Sequence, residues 1–148
     1  MIIGLIGLRF SGKSTAAEVI KSVGEELGVV INKFDYCNYN SPAVNFNKLD
    51  PNQHYVLDSL ASIEDLEMLM RRGGRPYKIE SNNDMRKMRG FIYNREIDES
   101  MMEKDLDFSG HTYYTLGGGV IWNTKTLEVF RTNLKDMVKE VFIPKVLK

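Results

Sequence analysis

The chain has 148 residues, of which 43% are hydrophobic and 27% charged, the size and balance of one globular domain that buries a core without disulfides or a structural metal. Twenty basic residues stand against twenty acidic ones, and this zero net charge excludes a wholly basic protein that coats nucleic acid. The single cysteine, Cys37, excludes an internal disulfide, and no Cys/His cluster has zinc spacing.

Residues 2–6 form an unbroken apolar run with β-branched members, the pattern of a strand buried on both faces of a parallel sheet. The run is too short to span a membrane and lacks the basic flank of a signal peptide, so a cytoplasmic setting without a membrane partner is expected. A glycine-rich turn follows, and then Ala16, Ile20, Val23 and Leu27 recur at helical spacing, with Gly28 placed to end that helix. Val29-Val30-Ile31 reads as a second strand. Residues 36–53, with five asparagines and two prolines, read as a long functional loop holding at most one short helix.

Tyr55-Val56-Leu57 reads as a third buried strand that ends at Asp58. Ser62-Ile63-Glu64-Asp65 has the form of a capping box, and Ile63, Leu66 and Met70 fall on one face of the helix it would start. Gly73-Gly74 ends that helix, and Pro76-Tyr77-Lys78-Ile79 reads as a fourth strand. A charged, helical segment is expected over 83–106, then a fifth strand at Val120-Ile121-Trp122. The last helix carries Leu127, Phe130, Leu134, Met137 and Val141 on one stripe and is closed by Pro144. This β-α alternation predicts a single α/β domain over 1–148, a parallel sheet with helices on both faces.

Gly7-Leu8-Arg9-Phe10-Ser11-Gly12-Lys13-Ser14, followed by Thr15, matches the phosphate-binding pattern G-x-x-x-x-G-K-S/T between a buried strand and a helix. Its glycines let backbone N–H groups curl around phosphate oxygens. Lys13 supplies charge to the β- and γ-phosphates, Ser14 offers a hydroxyl to Mg²⁺, and the helix points its positive dipole end at the anion. ATP as phosphoryl donor and Mg²⁺ are the expected ligands.

Asp58, at the C-terminal end of an apolar strand, is placed to hold the Mg²⁺ shell, or alternatively caps a helix. Between 71 and 95 eight basic residues stand against two acids, and from 96 to 107 the sign reverses. Arg86 and Arg89 share a helix face, as a lid closing over a transferring phosphoryl group requires, although such a helix can equally pair its basic and acidic halves. Asp35, after the second strand, is a general base, an acceptor-orienting group or a loop cap. Asn32-Lys33-Phe34-Asp35 and Asp107-Phe108-Ser109-Gly110 mimic two GTPase motifs, but in reversed order, and are set aside.

Taken together, this strand, phosphate loop, acid-ended strand, arginine-rich segment and final V-I-x-N strand resemble small P-loop kinases. The nearest are phage-type deoxynucleoside monophosphate kinases and dephospho-coenzyme-A kinases. The resemblance implies a three-layer P-loop fold with strand order 2-3-1-4-5 and a short lid over about 83–107. It also implies that Asn123, after Val120-Ile121-Trp122, lies near the nucleotide base. Residues 36–53 would bind the acceptor but lack an arginine, leaving Lys33, Lys48 or the arginines at 71–75 to hold an acceptor phosphate.

The leading expectation is a nucleoside monophosphate kinase acting on ATP and a small nucleotide. The alternatives are a hydroxyl-acceptor kinase with Asp35 as base, for which nucleic acid is a possible acceptor, and a nucleotide-dependent binding module.

Overall fold

The apolar run at the start forms strand β1 (Ile2–Ile6), all five residues of it buried. A computed structural model of the chain describes residues 1–7, 11–34, 46–58, 60, 63–88 and 118–143. After β1 come α1 (Lys13–Glu26), β2 (Ile31–Phe34), β3 (His54–Leu57), α2 (Ile63–Arg71), β4 (Arg75–Glu80), α3 (Asn83–Met88), β5 (Gly119–Trp122) and α4 (Leu127–Phe142). The strands make one five-stranded sheet in the order β2-β3-β1-β4-β5. Every neighbouring pair is parallel, with Ile3 opposite Val56 on one side of β1 and Leu5 opposite Tyr77 on the other.

Alternation along β1 divides the core into two layers. Ile3 and Leu5 join Ala16, Ile20 and Val23 of α1 and Phe130 and Leu134 of α4. Ile2 and Ile6 join Leu66 and Leu69 of α2 on the opposite face, together with Phe46 and Leu49. Those last two residues belong to the stretch read as an irregular loop. Phe46 is fully buried, and burial of such side chains is worth about 1.5–3 kcal/mol each, which ties the end of that stretch to the sheet. On the first face, Glu26 of α1 pairs with both Arg131 and Lys135 of α4. Among the described residues no helix is long and apolar enough to cross a membrane.

Three local expectations need correction. The second strand starts at Ile31, not Val29, and Val30 is 73% exposed. The cause is the end of α1. Val29 N donates to Gly24 O and Gly28 N to Glu25 O, with Gly28 at φ 78°, so the helix cap consumes the N–H group that a strand would need. On α2 the buried pair is Leu66 and Leu69, with Met70 only half-buried. Leu69 packs where Gly4 and Gly74 leave room, since a Cβ on either would stand within 3 Å of it. On α4, Leu127 is 64% exposed because it opens the first turn, just after the cap at Thr126, whose hydroxyl accepts from Val129 N. Pro144 and the Ser62 cap lie outside the described residues, and the helix expected over 83–106 is described only as far as Met88.

Candidate nucleotide phosphate site

In a parallel sheet the strand ends where loops lead into helices share one edge, and that edge is where ligands sit. Here the edge carries Gly7 after β1, Phe34 at the end of β2, Asp58 after β3, Ser81 after β4 and Asn123 after β5.

The phosphate loop leaves β1 at Gly7 and enters α1 at Lys13. There is no space for a side chain at Gly7, where a Cβ would stand 2.6 Å from Ile79 O and 2.8 Å from Ser11 Oγ. Gly12 occupies the left-handed region (φ 106°, ψ 22°), and its carbonyl accepts the first helical bond from Ala16 N at 2.8 Å. Among the described residues no side chain caps α1, and its first turn holds no acid. Leading N–H groups and the positive end of a helix dipole are the elements that suit an anion. Ser14 and Thr15 are exposed on that first turn, and Lys13 Nζ donates back to Gly7 O. The Ser11 hydroxyl is buried and is the one buried side-chain oxygen or nitrogen among the described residues that lacks a hydrogen-bond partner.

The two residues expected to hold metal are brought together. Ser14 Oγ lies 3.4 Å and 3.5 Å from the two carboxylate oxygens of Asp58. Those spacings exceed the 2.5–3.0 Å of a good O–H···O bond, so the pair faces one another without locking. Both are hard oxygen donors of the kind Mg²⁺ takes alongside water and phosphate, and the residues present fit that ion. Asp58 N donates to Phe34 O at 3.3 Å, which fixes the end of β3 against the end of β2.

Asn123 is brought to the same place by β5, but to the loop backbone. Its Nδ2 donates to Ser11 O at 2.8 Å, and its own N–H donates to Glu80 O at 2.7 Å. Sequence reasoning missed this contact, for which the V-I-x-N pattern was the only signal. Trp122, next to it, is 57% exposed and is not a core residue.

Arg86 sits on α3, which leaves the ligand edge after β4 and is capped by Asn82 through Met85 N at 2.8 Å. It is only 4% exposed, a cation built into the protein interior. Phe10, Asp35 and Arg89 lie outside the described residues. Of the cations considered for an acceptor phosphate, Lys33 pairs with Glu18 at 2.9 Å, and this bond pulls the Glu18 carboxyl below its ordinary range. The arginines at 71–75 are on the wrong edge. Arg75 pairs with Ile3 at the start of the strands, while the phosphate loop follows their ends.

No protein-family model matches the chain, and no curated protein matches it. Solved structures do. The chain is similar to Chaetomium thermophilum Kti12 in complex with ADP-AlF3, at 13% identity and a TM-score of 0.68 over 97% of this chain and 100% of that one. It is similar to shikimate kinase from Acinetobacter baumannii in complex with shikimate, at 15% identity and a TM-score of 0.57 over 99% and 95%. Shikimate kinase from Aquifex aeolicus matches at 17% identity and a TM-score of 0.54 over 97% and 100%. At these identities the likeness is one of fold: the five-stranded parallel sheet in the order 2-3-1-4-5, flanked by helices, is a P-loop fold shared with these structures.

Proposed function

We propose that this protein is an ATP-dependent phosphotransferase with a nucleoside monophosphate as its acceptor. The observation that carries the reading is the start of α1, which no described side chain caps and where Lys13 and Ser14 stand at the ligand edge with Asp58 facing Ser14. In this reading Lys13 leaves its bond to Gly7 O to take the β- and γ-phosphates of ATP, and the loop N–H groups hold the phosphate oxygens. Ser14 and Asp58 would hold Mg²⁺, which when bound supplies charge neutralisation on the phosphates. The γ-phosphorus–oxygen bond to ADP breaks as a bond to the acceptor oxygen forms. Catalysis is then mostly positioning and fixed charge, with no covalent intermediate on the chain. The cytoplasm is the compartment this reading implies.

A second reading, a hydroxyl-acceptor kinase, draws on a separate observation. Phe34 ends β2 on the ligand edge and its carbonyl is bonded to Asp58 N. In this reading Asp35, the next residue in the sequence, would take the proton of an acceptor hydroxyl. One of the similar structures holds shikimate, which is not a nucleotide.

The test is ADP release from ATP and Mg²⁺ against a panel of nucleoside monophosphates, nucleosides, 5′-hydroxyl oligonucleotides, shikimate and dephospho-coenzyme A, with Lys13→Ala as blank. Stimulation by monophosphates is expected. Stimulation by hydroxyl compounds alone moves the assignment to the second reading, and none with any acceptor sinks both.

A further inference from the structure

A phosphate loop works only if its peptide planes are turned the right way, because its donors are backbone N–H groups. In a planar trans peptide the carbonyl and the N–H point in opposite directions. The Ser11 carbonyl is turned toward Asn123 and accepts from its Nδ2 at 2.8 Å inside the protein. The other end of the same peptide, the Gly12 N–H, is thereby aimed away from Asn123.

Asn123 is well held for this task. It is 5% exposed, and its own N–H is bonded to Glu80 O at 2.7 Å, so the end of β4 fixes its backbone. Its carboxamide lies close against the loop, since a Cβ on Gly12 would stand only 2.5 Å from Nδ2, with Phe130 3.6 Å from the same point. Gly12 is left-handed here, and its missing Cβ leaves the carboxamide room to approach.

We infer that Asn123 is a positioning residue of the phosphate site: its carboxamide sets the Ser11–Gly12 peptide so that the Gly12 N–H faces the triphosphate, and it acts through the loop instead of touching the nucleotide base. The inference rests on the phosphate-binding reading above but not on the identity of the acceptor. It departs from the family resemblance, which places this asparagine near the base. The two assignments differ in one respect that can be measured. A base contact matters only to a ligand that has a base, whereas a turned peptide matters to any phosphate chain.

The experiment is calorimetric titration of the full chain, as wild type, Asn123→Ala and Asn123→Asp, with inorganic tripolyphosphate and with ATP, both in Mg²⁺. Both substitutions remove the Nδ2 donor, and the second places a repelling carboxylate against the Ser11 carbonyl. Loss of one hydrogen bond with its acceptor left buried corresponds to about ten-fold weaker binding, and the same factor is expected for both ligands. A loss confined to ATP, or no loss with either, overturns the inference. Wild-type protein that binds neither ligand overturns the phosphate-site reading itself. A second readout needs no variant. In wild-type protein the Gly12 amide proton is expected to move downfield when Mg²⁺-tripolyphosphate is added, and a Gly12 resonance that stays in place overturns the inference even if both variants fail to fold.

Discussion

Gly12→Ala separates two reasons why the phosphate loop needs a glycine. The first is conformational. At φ 106° and ψ 22° an L side chain is strained, at about 1–2 kcal/mol. The second is steric. The added methyl would stand 2.5 Å from the buried Nδ2 of Asn123, and moving that amide disturbs its 2.8 Å bond to Ser11 O. A buried acceptor that loses its donor adds about 1–3 kcal/mol, so the total expected loss is about 2–5 kcal/mol. Gly28→Ala is the control, because Gly28 has φ 78° but a methyl added there would meet nothing within 4 Å. Urea unfolding is expected to show only the conformational loss at that position. The combined variant Gly12→Ala/Asn123→Ala should be less destabilised than the sum of its parts by at least about 0.5 kcal/mol. Equal losses at the two glycines, or full additivity in the pair, would refute the contact as the cause.

Asp58→Asn is expected to weaken ATP binding about 10- to 100-fold in Mg²⁺ and to leave binding in EDTA and thermal stability nearly unchanged, because its 3.4–3.5 Å spacing from Ser14 makes no strong bond to lose. Calorimetry in the two buffers reads both. His54 is held below its ordinary pKa of 6.5, first by burial and then by the Met1 ammonium, whose nitrogen is 3.0 Å from Nδ1. The folded state therefore binds this proton less well than the unfolded state. The resulting stability is present above pH 6.5 and is lost as pH falls through the folded value; His54→Gln should flatten that limb of a Tm-versus-pH curve. Gly74→Ala pushes a methyl to 2.8 Å from Ile2 O and 2.4 Å from Leu69 Cδ1, an overpacking of about 1–3 kcal/mol. It should lower the urea midpoint more than Gly73→Ala, which has φ 70° but open space around it.

The parts of the fold legible in the sequence are those written in short stretches. The strands β1, β3 and β5 are built on apolar runs followed by glycine, aspartate and asparagine, and the phosphate loop is complete within eight residues. Errors appear where two local rules compete for the same residue. Val29 suits a strand by composition, but the α1 cap takes its N–H first. Leu69 and Met70 are both apolar and adjacent, and Leu69 takes the space left by Gly4 and Gly74 in the core. The arginines at 71–75 look like phosphate ligands until the direction of α2 carries them to the far edge of the sheet. The contact of Asn123 was not legible, because the partner carbonyl lies 112 positions away and nothing in either stretch names the other.

That separation along the chain also orders events in time. β1 lies between β3 and β4, so the strand that launches the phosphate loop is paired on both sides only after both have been made. The loop then waits for Asn123, beyond the last strand, before its Ser11 carbonyl is gripped. Such long-range closures are slow steps in folding. During synthesis, a chain emerging from its N-terminus displays the phosphate-binding sequence early and completes it late. On the proposed function, nucleotide capture would report finished folding: in a refolding experiment, ATP binding should rise with the docking of β5 and lag behind the recovery of helical signal.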